Sequence, residues 1–165
     1  MVATEKGIVP HLMRMLDFDS RIRPNDGVCF VLEALSLRKD LSTDQLQQIT
    51  AHMRELLKTQ WSPLRSEGDG YLSSGALVLQ NYPSAENEEL ALRLLERPTS
   101  DHDFILMRVN AARSLAKIGS AKGLPTAEKA AEEMKRKYGG RADFWIGKMD
   151  EALAGYRRRL GKGGT

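Results

Sequence analysis

Residues 108–125 constrain the fold of this chain more than any other stretch. Arg108-Val109-Asn110-Ala111-Ala112-Arg113-Ser114-Leu115-Ala116-Lys117-Ile118-Gly119 carries small residues along one edge and Leu115 and Ile118 along another, then stops at glycine. Apolar side chains three apart share one helix face. Glycine closes helices because it enters the left-handed region without a Cβ penalty. Lys122-Gly123-Leu124-Pro125 follows directly. Proline suits a first helical turn, where its missing N–H has no intrahelical acceptor to lose. Two helices joined by a tight corner are therefore predicted.

Whether that unit recurs decides the architecture. A shift of 41 residues places Ile8, His11, Leu12, Met15 and Leu16 over Ile49, His52, Met53, Leu56 and Leu57. Lys6-Gly7-Ile8-Val9-Pro10 echoes Lys122-Gly123-Leu124-Pro125, with the two prolines 115 residues apart, or about three units of 38. Periods near 40 belong to helical arrays of the HEAT and armadillo kind. The order in Arg108–Leu115 (Arg, two spacers, Ala-Ala, a spacer, a small residue, Leu) resembles the first helix of a HEAT repeat. It is close to the short bacterial variety also found in phycobilin lyases, and Pro125 stands where that family's second helix carries proline. The resemblance covers most of the chain; it is specific in 107–134 and degenerate in 68–96. It implies an all-α α-solenoid, a HEAT-like superhelix of about eight helices stacked right-handedly as antiparallel pairs.

The helical pattern along the chain agrees with that class. Helices are predicted over 5–16 (Ile8, Leu12, Met15 and Leu16 inward), 25–37 (Val28, Val31, Leu32, Leu35) and 43–58, the last capped by Ser42-Thr43-Asp44. A loop from Trp61 through Glu67-Gly68-Asp69-Gly70 leads to 70–81, with Leu72, Ala76 and Leu79 inward. Pro83-Ser84 precedes 85–96 (Leu90, Leu94, Leu95), and Pro98, Ser100 and Asp101 precede 101–118. The last two are 122–137, carrying Leu124, Ala127, Ala131 and Met134 and ended by Gly139-Gly140, and 142–159. On the latter Trp145, Met149, Ala152, Leu153, Tyr156 and Leu160 form one apolar stripe. All six prolines fall in loops or first turns. Residues 1–160 read as one domain and 161–165 as a flexible tail. Pairing leaves the first helix alone, so it reads as an N-terminal cap rather than the start of a segment of a longer array.

Composition narrows the class of function. A 165-residue chain with 41% hydrophobic and 28% charged residues is ordinary for a globular protein. Its 6% aromatic content and lack of Val/Ile/Thr runs favour helix over sheet. No apolar run approaches the roughly 20 residues of a membrane span, and Met1–Gly7 lacks the apolar core of a secretory signal. A cytoplasmic protein is expected. Cys29, the single cysteine, lies in the apolar run Val28–Leu32 and reads as a small buried hydrophobe.

Catalytic patterns are scarce. His11 and His52 occupy equivalent repeat positions without further metal ligands, and His102 lies in a capping loop. Ser66-Glu67-Gly68-Asp69-Gly70 is glycine-rich but acidic and lacks the Lys-Ser/Thr of a phosphate loop. Asp17, Asp19, Asp101 and Asp103 fall where HEAT-like repeats place turn and cap carboxylates. The resemblance gives Arg108 a scaffolding role, bridging to an acid in the neighbouring loop. No catalytic residue, metal or cofactor is expected.

Charge carries the one functional hint. From Lys135 onward nine basic residues face three acids, a local excess of +6 that leaves −3 for residues 1–134. Arg157–Arg159 and Lys162 also suit a helix C-terminus, where cations offset the macrodipole. The resemblance therefore implies a non-catalytic protein–protein interaction or scaffold module, binding a peptide or protein on its concave face. The candidate concave residues are Arg14, Gln47, Gln48, Arg54, Glu89, Arg93, Lys129 and Glu133. The alternative is a nucleic-acid-binding, DNA-glycosylase-like or lyase-like HEAT protein using a basic patch of Lys135, Arg136, Lys137, Arg157, Arg158 and Arg159. A glycosylase needs Trp and Asp beside clustered cations on the concave helices, whereas Trp61 reads as loop and Trp145 as core-facing. Nucleic acid is thus the less favoured partner, no membrane partner is expected, and the oligomeric state is left open.

Overall fold

The computed structural model describes residues 8–16, 26–58, 67–97 and 105–162. The described residues form eight helices and no strand: α1 (Ile8–Leu16), α2 (Asp26–Ser36), α3 (Thr43–Lys58), α4 (Glu67–Leu79), α5 (Ala85–Glu96), α6 (Ile105–Ile118), α7 (Leu124–Tyr138) and α8 (Asp143–Lys162). Outside them fall the readings of Asp17, Asp19, Trp61, Asp101, His102 and Asp103, and the side chains of Val28, Cys29 and Leu56. None of the described helices is long and apolar enough to cross a membrane. A far-UV circular dichroism spectrum dominated by helix, with no strand component, is expected.

Local sequence sets the helix ends. Ser42 and Gln45 form a capping box at α3: the Ser42 Oγ accepts from the Gln45 amide at 3.2 Å, and the Ser42 amide donates to Gln45 Oε1 at 2.8 Å. Ser84 caps α5 by accepting from the Asn87 amide at 3.0 Å. At the end of α7 the Gly139 amide donates to the Lys135 carbonyl at 2.9 Å, and Gly140 takes φ +77°, a left-handed conformation that favours glycine. Several ends differ from expectation by a residue or two, and two helices extend three residues beyond their predicted bound. Helix α4 starts at Glu67, three residues early, and takes Gly68 and Gly70 into the helix. Each helical glycine costs about 1 kcal/mol, a cost offset here because α4 packs against α2, α3, α5 and α6. Helix α8 continues through Gly161 and Lys162, past the expected end of the domain at 160.

Packing organises the helices in two sets. Helix α2 packs on α4, α4 on α6 and α6 on α8, while α1, α3, α5 and α7 pack on α2, α4, α6 and α8 respectively. The even helices begin at 26, 67, 105 and 143, steps of 41, 38 and 38 residues. Helices α4 and α6 run parallel in close contact. The Asn110 side-chain amide donates to Ser73 Oγ at 2.9 Å, and one turn on the Ser114 hydroxyl donates to the Ala76 carbonyl at 2.5 Å. Small residues at Ser73, Ser74, Gly75, Ala111, Ala112 and Ser114 permit that approach, and all are buried. Ion pairs Lys135–Asp150 (3.0 Å) and Glu128–Arg157 (2.7 Å) show that α7 and α8 run antiparallel, since the end of each meets the earlier part of the other.

The core is continuous from Val9 to Tyr156. Predicted inward faces match on α2, α4, α5, α6, α7 and α8, with Trp145, Leu124 and Leu160 partly buried at its margin. Helix α1 is rotated from its predicted face. Val9, Met13 and Leu16 are buried, whereas Ile8 and Met15 are exposed. The register that superposes buried positions on α3 is therefore 40 residues (Val9 over Ile49, Met13 over Met53), not 41. Alternation of apolar residues on both edges of α1 left its sequence unable to choose between faces.

Candidate functional site

Side chains from later in the chain close the corners between helices. Between α2 and α3, the Asn81 side-chain amide donates to the Ser36 carbonyl (2.5 Å) and the Arg38 carbonyl (3.0 Å). The Tyr82 hydroxyl donates to the Arg38 carbonyl (3.2 Å) and accepts from the Leu41 amide (2.9 Å). Burial raises the Tyr82 phenol above its ordinary value, with the Leu41 amide opposing. The same device recurs between α6 and α7. Arg159 donates to the carbonyls of Ala116 (2.9 Å), Leu115 (3.3 Å) and Gly119, and the Tyr156 hydroxyl donates to Ser120 at 2.5 Å. In both corners a helix C-terminus, left with orphan carbonyls, is capped from later in the chain, by the segment that follows α4 in the first and by α8 in the second. The sequence separations are similar, 43–45 residues for Asn81 and 43–44 for Arg159 to Ala116 and Leu115.

Glu88 completes the second corner from α5, its Oε1 accepting from the Ser120 amide (2.7 Å) and hydroxyl (2.8 Å). A Cβ at Gly119 would overlap the Tyr156 hydroxyl and stand 2.8 Å from the Leu115 carbonyl, so this corner requires glycine. Burial, and then the neighbouring Glu88 carboxylate, push the Tyr156 phenol from 10.0 up to about 12, with Arg159 opposing. The sign follows from linkage. A folded-state value above the unfolded one means that the fold favours the neutral phenol. That stabilisation is present in full below pH 10 and lost as pH climbs from 10 through about 12. The stability advantage of the parent over Tyr156→Phe is therefore expected to shrink across that window in denaturant titrations, and to be constant at lower pH.

The odd helices present two open grooves. One of about 390 Å³ lies between α3 and the corner entering α5; Leu46, Gln47, Thr50, Asn81, Tyr82 and Glu86 are among its walls. The other, about 450 Å³, lies between α5 and α7 and is lined by Leu95, Glu96, Pro125, Thr126, Lys129, Ala130 and Glu133. Of the predicted concave residues, Gln47 lines the first groove, and Lys129 and Glu133 line the second. Arg54 pairs with Glu86 across the α3–α5 junction. Glu89 and Arg93 pair with each other along α5 at 2.6 Å. Gln48 is half-buried on α3, and Arg14 stands exposed on α1, outside both grooves. Arg108, buried on α6, donates to Glu133 and to the Arg97 carbonyl, each at 3.4 Å. Its acid thus sits on α7, while the loop acids Asp101 and Asp103 lie outside the described residues.

The six basic residues of the alternative reading are not brought together. Lys135, Arg136 and Lys137 end α7, Arg157, Arg158 and Arg159 lie near the end of α8, and antiparallel packing sends these to opposite ends of the pair. Most are also engaged within the fold. Lys135 is held by Asp150 at 3.0 Å and Glu132 at 3.5 Å, and hydrogen bonding to Asp150 raises its ammonium above the ordinary value. Arg157 grips Glu128, Arg159 caps α6, and Lys137 stacks on Tyr138 at 5.4 Å. Arg136 and Arg158 are exposed without an ion pair among the described residues. His11 is exposed and His52 half-buried, and no group of three or more His, Cys, Asp or Glu able to hold a metal occurs among the described residues.

One feature had no signal in the sequence. A groove of about 460 Å³ runs over the second half of α6, between the end of α4 and the middle of α8. Its residues, Gln80, Arg113, Ala116, Lys117, Lys148, Glu151, Ala152 and Gly155, come from segments over 25 residues apart and become neighbours only through even-helix packing. Comparison with protein-family models, with curated proteins and with solved structures finds no match for this chain.

Proposed function

We propose that this chain is a HEAT-like α-solenoid, a right-handed stack of antiparallel helix pairs, acting as a non-catalytic module that binds an extended peptide or protein segment on its odd-helix face. The observation that carries the reading is the pair of open grooves between α3, α5 and α7. Their walls mix aliphatic surface (Leu46, Leu95, Pro125, Ala130) with single polar groups (Gln47, Thr126, Lys129), a lining suited to alternate side chains of an extended strand. Steps of 38–41 residues between successive even helices, and the carbonyl caps supplied across about 43 residues at the α2–α3 and α6–α7 corners, support the repeat architecture.

Selection from a random peptide library, with affinities of the selected peptides measured by calorimetry, tests this. Thr126→Trp and Lys129→Glu, both on the half-exposed or exposed wall of the second groove, are expected to weaken binding at least roughly tenfold, about 1.4 kcal/mol. Failure to select any binder, or binders indifferent to both substitutions, would overturn the reading.

Nucleic acid gives a separate check. Because Lys135 and Arg157 are ion-paired, Arg159 caps carbonyls of α6 and the two groups of cations lie at opposite ends of the helix pair, DNA is expected to bind weakly, without sequence preference, and to dissociate as salt rises. Sub-micromolar affinity at physiological salt in fluorescence anisotropy, lost on combined Arg157→Ala, Arg158→Ala and Arg159→Ala substitution, would instead favour the nucleic-acid alternative.

A further inference from the structure

We infer that the groove between α6 and α8 is a second docking site, taking an extended acidic peptide segment of a partner protein with carboxylates at alternate positions. It draws no residue from α3, α5 or α7, so it stands or falls independently of the odd-helix reading. Three cations face it, Arg113 and Lys117 from α6 and Lys148 from α8, against the single carboxylate of Glu151. Lys148 neutralises that carboxylate locally, at 2.9 and 3.2 Å. Arg113 has only a 3.4 Å contact with Asn110 Oδ1, and neither it nor Lys117 has an ion-pair partner among the described residues. The chain elsewhere keeps many of its surface cations paired, as Arg54, Arg93, Lys135 and Arg157 show. Arg113 and Lys117 differ from these in standing one helical turn apart over one open groove, with no carboxylate of the described residues paired to either.

The spacing and the floor narrow the ligand. Arg113 and Lys117 are one helical turn apart, about 6 Å along the axis. Alternate side chains of an extended strand are about 7 Å apart on one face, so acids at every second residue match the two cations. The floor is made by Ala116, Ala152 and Gly155, and a Cβ added at Gly155 meets nothing within 4 Å, so there is room for a backbone to lie in it. Glu151 favours a peptide over DNA. It can accept a backbone N–H, whereas a DNA backbone has no donor to offer it. The groove walls also contain no aromatic ring on which a base could stack.

The test is fluorescence anisotropy of a short labelled peptide of alternating Glu and Ala, titrated with the whole protein at low and physiological salt. Saturable binding that weakens with salt is expected, because these charges are exposed and screened. The double substitution Arg113→Glu/Lys117→Glu is expected to lower affinity roughly tenfold or more, as each attraction becomes a repulsion. Gly155→Gln, which fills the floor without removing charge and improves helix propensity, is expected to lower it as well. Arg136→Glu, outside the groove, is expected to leave affinity unchanged. No binding at low salt, equal loss with Arg136→Glu, or indifference to the groove substitutions would overturn the inference. So would single-stranded DNA binding more tightly than the peptide and losing affinity with the same groove substitutions.

Discussion

Replacing Tyr156 by alanine is expected to remove about 3–5 kcal/mol of folding free energy, the range for truncating a large buried aromatic. Its ring is fully buried at the meeting of α8, the α6–α7 corner and α5, and its hydroxyl donates to Ser120 at 2.5 Å. Glycine at 119 and 123 leaves the space that the hydroxyl end of the ring fills, and neither residue has a side chain to fill it once the ring is gone. Tyr156→Phe separates the two contributions. It keeps the ring and removes the hydrogen bond to the Ser120 carbonyl, at a cost of about 0.5–1.5 kcal/mol, because Ser120 is exposed and water can replace the donor. Guanidinium or urea titrations of the three proteins measure both. Equal midpoints for parent and Tyr156→Ala would mean that the corner does not hold α8 to the fold.

Leu115→Ala is expected to cost about 2–5 kcal/mol, towards the upper part of that range. Leu115 is fully buried on α6, the helix that packs against α4, α5, α7 and α8. A cavity surrounded by four helices relaxes less than one at an edge. Stabilities of small domains are typically about 5–15 kcal/mol, so this one truncation consumes a large share. The denaturation midpoint should fall with the slope preserved, because the same surface is exposed on unfolding. An unchanged midpoint would show that the core does not centre on α6.

Much of the secondary structure was legible because its determinants lie within a turn or two of each other. The Ser42–Gln45 capping box, the Ser84 cap and the Gly139-Gly140 stop act over two to four residues, and each ends a helix where expected. Strong apolar stripes on α2, α5, α6, α7 and α8 identified their buried faces for the same local reason. On α1 apolar residues occupy both edges, and the choice of Val9, Met13 and Leu16 over Ile8 and Met15 was made by the packing against α2.

The candidate site was less legible. Charge along the chain reports how many cations a segment carries, not what stands opposite each one. Arg157–Arg159 read as cations suited to the end of their own helix, yet Arg159 caps α6, over 40 residues earlier, and Arg157 holds Glu128 on α7. Lys135 likewise meets Asp150, so a run of basic residues became separate structural contacts at opposite ends of a helix pair.

The sequence by itself determined an all-helical chain of about eight elements, the chemistry that starts and stops the capped ones, and most buried faces, since a helix encodes its period and its ends locally. Tertiary structure alone decided the face of α1, the early start of α4 through two glycines, the caps supplied across about 43 residues, and the assembly of Arg113, Lys117 and Lys148 around one groove. Each depends on which residues stand face to face after packing. Such pairings join positions far apart along the chain, and no local period records them.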